Sequence, residues 1–390
     1  MVEIQHTNEN PFLRRLFFSF FKLGITAFGG PAMVAYIREM AVLQKKWLDD
    51  ETFHDGVALS QTIPDATAMQ TTAYVGLRTR GLPGAALSFL GFGLPAFFFM
   101  MILSALYVHA HKLPLVISAF AGLQAIIVAI VGNATLDFGK TLLKNWKTIA
   151  IASVAAAMFG LAVSPVLVIV LAALLGLMLF RKQTIPGKVI KLATKLYAPR
   201  TFILLLLAVA AGFVLLLLWN RNLFNIATLM FRIDLFAFGG GFASVPLMFH
   251  EVVKVRSWLD GPTFMNGIIL GQVTPGPIVI TATFIGYMLC GPLGGIIATV
   301  SVFLPSFLLV TGTTPYYSRL LNSAYFNLII RGILCSFVGL LLSVTIRFAL
   351  NVPWDFARIL LAIAVFFALR VKVNIFWVVM LGTLISMLVF

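Results

Sequence analysis

The sequence predicts an all-α polytopic membrane protein: two inverted-topology repeats with broken or re-entrant helices, joined by a basic linker and one extra transmembrane helix. Three observations predict it. The 390-residue chain is 61% hydrophobic and only 11% charged, whereas a soluble protein carries about a quarter charged residues. One phrase is written twice, "LGITAFGGP" at 23–31 and "IDLFAFGGG" at 233–241. A single apolar run, 201–219, stands unpaired between the two copies.

The echo has a fixed period, the mark of internal duplication. Phe28, Gly29 and Gly30 match Phe238, Gly239 and Gly240 at an offset of 210, and Lys22 matches the cationic Arg232. Trp47, Leu48 and Asp49 match Trp258, Leu259 and Asp260 at 211, as Gln61 and Pro64 match Gln272 and Pro275. Gly81, Gly84 and Pro95 return to 210 with Gly291, Gly294 and Pro305. The chain therefore divides into repeat 1 (1–181), a basic linker with a connecting transmembrane helix (182–220), and repeat 2 (221–390).

The polar N-terminus "MVEIQHTNENPFLRR" shows no cleavable signal. After an interrupted front part, repeat 1 ends in four apolar runs at about 83–108, 113–138, 147–162 and 164–180. Whether the front part crosses twice or not at all, the repeat crosses an even number of times. The run 201–219 has about the 20 residues a crossing needs, and one helix between two even units turns the second upside down. Charge agrees with this for most loops. The linker 181–200 carries six Lys or Arg and belongs in the cytoplasm by the positive-inside rule. Counting back places Lys140, Lys144, Lys147, Arg78, Arg80, Arg14 and Arg15 inside. Counting forward places Arg370 and Lys372 inside but Arg347 and Arg358 outside, a poorer fit.

The front parts break at "GGP" (29–31) and "IPDA" (63–66), and again at "GGG" (239–241) and "TPGP" (274–277). Broken backbone at lipid depth is tolerated only inside protein or beside a polar cavity. Each exposed half-helix N-terminus carries about +0.5 charge and free N–H groups. Four such ends suit a small dianion at the repeat interface, with Lys22 and Arg232 as added cations. The candidate substrate-binding residues are thus Lys22, Gly29, Gly30, Pro31, Gln61, Pro64, Asp65, Gln70, Arg232, Gly239, Gly240, Gly241, Gln272, Thr274, Pro275, Gly276, Pro277 and Thr281. Plainer readings stand beside these: glycines for close helix packing, snorkelling cations, glutamines bonding neighbouring helices, and Asp65 as a helix cap.

These tracts resemble the chromate transporter family. The first copy reads "FKLGITAFGGP", "KKWLDDETFHDGVALSQTIPDA", "YVGLRTRGLPGA" and "GFGLP"; the second reads "FRIDLFAFGGG", "RSWLDGPTFMNGIILGQVTPGP" and "VFLP". The resemblance covers both repeats. It implies a two-repeat carrier exporting chromate, a sulfate-like oxyanion, across the cytoplasmic (inner) membrane, with function attached to the glycine and proline tracts. Two positions depart from it: Asp65 stands where repeat 2 has Gly276, and Asp234 where repeat 1 has Gly24. A carboxylate at a half-helix start cancels much of the field an oxyanion needs.

The reading is secondary transport of a small oxyanion by alternating access. The rival is a proton- or cation-coupled carrier of another anion, with Asp65, Asp234, Glu39 and Glu251 as coupling candidates. A membrane-embedded enzyme is the remote alternative, because the five histidines are scattered and no HExxH or cysteine cluster occurs. Cys290 and Cys335 lie in apolar context, and neither a disulfide nor a metal site is expected. No cofactor is implied. The net charge of +15 is explained by topology rather than nucleic acid. The expected partners are the bilayer and the oxyanion, and a homodimer is compatible with the sequence.

Overall fold

The computed structural model describes residues 12–27, 32–181, 199–317 and 323–390, and every regular element among them is a helix. Repeat 1 opens with α1 (Leu13–Thr26) and α2 (Ala32–Arg38), which continues as a π-helical turn Glu39–Gln44. α3 (Asp50–Thr62) starts where Asp49 caps it, accepting the Thr52 N–H at 2.7 Å. The long α4 (Thr67–Ala110) and α5 (Pro114–Leu142) follow, the latter started by a proline that needs no N–H partner. α6 (Trp146–Gly160) begins at a capping box of Asn145 and Thr148, and α7 (Pro165–Phe180) closes the repeat.

α8 (Pro199–Trp219) lies on the outside of the bundle, touching α9 (Arg221–Leu235) through Phe213 against Phe224 and Phe231. Repeat 2 continues with α10 (Ser244–Met248) and its π-helical extension Phe249–Val255. Then come α11 (Gly261–Val273), α12 (Thr281–Thr313), α13 (Ala324–Asn351), α14 (Phe356–Arg370) and α15 (Ile375–Val389).

The duplication extends to single backbone angles. Arg80 and Gly81 have φ −142° and 65°, and Cys290 and Gly291 have φ −138° and 61°. Left-handed residues recur in pairs: Lys46 with Ser257, Asp65 with Gly276, and Ala162 with Lys372. The break at Arg80–Gly81 is a reversal. A Cβ on Gly76 would lie 2.2 Å from Gly84 O, so the front limb of α4 (67–79) packs back along its long limb (82–110). In α12 the Thr283 and Thr299 hydroxyls meet at 2.7 Å across the same reversal. Only glycine permits backbones so close.

The front limbs also pack back on the helix before them. The Tyr74 ring lies against Gly56 of α3, and the Phe284 ring against Gly267 of α11. α3 and the front of α4 thus form a helical hairpin with its tip at 63–66, and α11 and the front of α12 form another with its tip at 274–277. These breaks are re-entrant in shape. A salt bridge from Arg232 of α9 to Glu251 beyond α10, 2.5 Å, marks a third hairpin.

The long limb 82–110 and α5 match the expected runs. α6 and α7 have 15 and 16 residues, about 23 Å at 1.5 Å per residue, short of the roughly 30 Å core. They return on themselves, since Lys147 Nζ donates to Leu179 O at 2.8 Å.

The repeats interlock. α6 and α7 pack on α13 of the other repeat, and α14 and α15 pack on α5. Gly339 lies on Ala152, and Gly332 on Ala172 and Gly176. α5 and α13, equivalent helices, touch each other: Gly132 lies by Thr345, and Gly139 by Val338. Rising numbers on one meet falling numbers on the other, so the two run antiparallel.

Candidate functional site

Each hairpin tip bonds the opposite repeat. The Asp65 N–H donates to Ala237 O, just after α9, at 3.0 Å; the Gly276 N–H donates to Ala27 O, just after α1, at 3.1 Å. Ala237 is the counterpart of Ala27 at offset 210, so the contacts are reciprocal, as a two-fold relation generates. Both amides are therefore occupied by carbonyls in this conformation.

The two crossings carry opposite chemistry. At the second, Gly276, Gly24 and Ala96 leave no space for side chains: a Cβ on Gly24 would lie 2.5 Å from Phe92 O, and one on Gly276 would lie 2.9 Å from Ala96 Cβ. At the first, the same places hold Asp65, Asp234 and Ser306. All three are essentially inaccessible to solvent. The Asp65 carboxyl faces that of Asp234, with the Ser306 side chain beside it. Asp234 Oδ2 accepts the Ser306 N–H at 3.1 Å, next to Pro305, which cannot close a helical bond of its own. Both Asp65 oxygens, Asp234 Oδ1 and Ser306 Oγ lack a partner in hydrogen-bond geometry. Asp65 also has φ 86°, the left-handed conformation that its counterpart Gly276 adopts at 110°.

The other candidates are distributed as follows. Gln70 is buried at the first tip and donates Nε2 to Pro64 O, leaving Oε1 without a partner. Its counterpart Thr281 bonds Ile278 O at 2.8 Å. Thr274 closes the second tip on Gly271 O at 2.9 Å, flanked by buried Pro275 and Pro277. Gly241 reaches both tips, near Ala66 and Ile278, while Gly239 (φ 113°) lies against the Phe337 ring and Gly240 has φ 89°. Gln61 is exposed; Gln272 is half-buried with Nε2 unpartnered. Gly29, Gly30 and Pro31 lie outside the described residues.

The cations and outlying acids do not join this centre. Lys22 is exposed on α1, and Glu39 is exposed with Gln44 Nε2 at 3.4 Å. Arg232 turns to Glu251, which also binds Arg256. The structure thus brings Asp65 and Asp234 together and leaves Lys22 and Arg232 apart from them.

Sequence reasoning did not single out Ser306, although it follows the repeated Pro305. Nor did it find a second polar cluster, a cavity of about 210 Å³ lined by Tyr107, His111, Gln124, Asn266 and Arg358. There Asn266 of α11 donates to Tyr107 OH at 3.1 Å and accepts from Gln124 Nε2 at 3.1 Å, joining the repeats. The counterparts of Tyr107 and Asn266 are Tyr317 and Asp55, and the buried Tyr317 hydroxyl has no hydrogen-bond partner. An asparagine within an apolar helix was the available signal.

Known proteins resemble this chain over nearly its whole length. The family model "Chromate transporter" matches residues 14–177 and again 224–387. An uncharacterized transporter of Methanocaldococcus jannaschii is 42% identical over 97% of this chain and 95% of its own. A chromate transport protein of Pseudomonas aeruginosa is 28% identical over 96% and 92%, and one of Cupriavidus metallidurans is 30% identical over 92% and 88%. No solved structure matches.

Proposed function

The chain belongs to the chromate transporter family, and from that premise we propose that it exports a small inorganic oxyanion, chromate or sulfate-like, from the cytoplasm by alternating access. The observation that carries this reading is the reciprocal pair of tip contacts, Asp65 to Ala237 and Gly276 to Ala27. They put broken backbone from both repeats at one buried interface, where inverted-repeat transporters hold substrate. The antiparallel α5 and α13 support the inversion. The Tyr107–Asn266 bond would then be a gate towards one face, with the 210 Å³ cavity an access vestibule beside it.

A dianion leaving a negative interior alone gains about 4.6 kcal/mol per 100 mV, from about 2.3 per charge. The potential alone therefore suffices for efflux. Uptake of radiolabelled chromate, sulfate and other oxyanions into proteoliposomes tests the reading; saturable uptake of chromate with sulfate competition is the expected result. A coupled carrier is the second reading, favoured by the facing carboxyls of Asp65 and Asp234.

A further inference from the structure

We propose that Asp65 and Asp234 form one proton-binding site, built by both repeats, and that its proton is exchanged during the transport cycle. The coupling to transport rests on the function proposed above; the proton site itself does not.

The geometry carries the argument. An ionised carboxylate is an acceptor only, so two that face each other in a buried place attract only if a proton lies between them. Taking an unpaired ion out of water costs several kcal/mol, and two adjacent carboxylates with no cation would incur that cost twice and repel as well. Among the described residues no lysine, arginine or histidine bonds either carboxyl: both Asp65 oxygens and Asp234 Oδ1 lack a partner, and Asp234 Oδ2 accepts the Ser306 N–H. The charged and titratable groups on the surrounding elements point elsewhere. Arg232, two residues before Asp234, is held by Glu251, and Lys22 on α1 is exposed. The Tyr74 and Tyr317 hydroxyls are buried and bond neither carboxyl.

The buried hydroxyl of Ser306 is an independent pointer. It sits beside Asp65 and bonds nothing in hydrogen-bond geometry, although Ser306 N–H holds Asp234. A neutral carboxyl offers the donor that this oxygen lacks, and an ionised one offers an acceptor for its proton. The hydroxyl therefore accommodates either state. The second crossing supplies the internal control: with Gly276, Gly24 and Ala96 in the three places it has no titratable group. The acid pair is thus not needed to make the crossing itself. In the exchange, the shared proton leaves for water when the site opens to one face and is replaced from the other, and no other bond is made or broken.

Two measurements on the purified full-length protein test this. Infrared difference spectroscopy should find a protonated carboxyl C=O band at neutral pH that is lost in Asp65→Gly/Asp234→Gly, which puts the second crossing's two glycines at the first. No such band in the wild type, or an unchanged band in the variant, overturns the proton site whatever the protein transports. In proteoliposomes clamped at zero potential, a one-unit pH gradient should drive chromate accumulation approaching tenfold in the wild type, and Asp65→Gly and Asp234→Gly should each lose that stimulation. Equal stimulation in variants and wild type overturns the coupling, as does a sodium gradient driving accumulation where a proton gradient does not. Absence of any oxyanion flux in the wild type, with the infrared band present, would contradict the proposed substrate and leave the proton site standing.

Discussion

The hydroxyls of Thr135 and Thr345, which hold the same place in the two repeats, lie 3.2 Å apart. A residue that touches its own counterpart lies on the axis relating the repeats. Here that contact joins antiparallel helices, so the axis crosses them and the repeats should face opposite sides of the membrane.

Lys144 and Trp354 are counterparts just beyond α5 and α13, and both are exposed. In a Cys290→Ser, Cys335→Ser background, Lys144→Cys should react with an impermeant thiol reagent only from the cytoplasmic side, and Trp354→Cys only from outside. Labelling of both from one side contradicts the inversion.

Asp65 occupies a backbone conformation suited to glycine. Strain of this kind costs about 1–3 kcal/mol, and burial of the acid adds to it. Asp65→Gly should therefore raise the thermal unfolding midpoint. A lowered midpoint would mean that the acid pair holds the repeats together.

The side chain of Arg232 is about half exposed and ion-paired with Glu251. Arg232→Gln should leave oxyanion affinity unchanged and cost about 1 kcal/mol or less. Glu251→Gln leaves two arginines without their partner and should cost more. Equilibrium binding of labelled chromate separates the cases, since a tenfold affinity loss in Arg232→Gln would restore that cation to the substrate site.

The Thr52 N–H holds the Asp49 carboxyl below the usual carboxylate range. Its capping contribution, about 1 kcal/mol, is full above the unfolded value of about 3.9 and is lost as pH falls through the lower folded value. Asp49→Ala should therefore destabilise at neutral pH by about that amount and by less in strong acid. Thermal unfolding as a function of pH checks it; a constant difference would mean that Asp49 does not act through its charge.

Composition and the 210-residue offset made the helices, the duplication and the breaks legible, because hydropathy and glycine–proline placement are local properties. The reversal at Arg80–Gly81 was not, since only the backbone angles distinguish a hairpin from a kink. The Arg232–Glu251 pair needed the third hairpin to bring its partners together. Asp65 and Asp234 were each visible as an acid standing where the other repeat has glycine. Their meeting required the crossing of one repeat's tip with the other repeat's helix end, which no spacing along the chain encodes.

The central claim is that this duplicated interface moves an oxyanion, and flux through purified, reconstituted protein under a clamped membrane potential tests it most directly. With chromate at equal concentration on both sides and the interior negative, the account predicts saturable net efflux that reverses with the sign of the potential. Chromate movement no faster than in protein-free vesicles, at either sign and with or without a pH gradient, would contradict it.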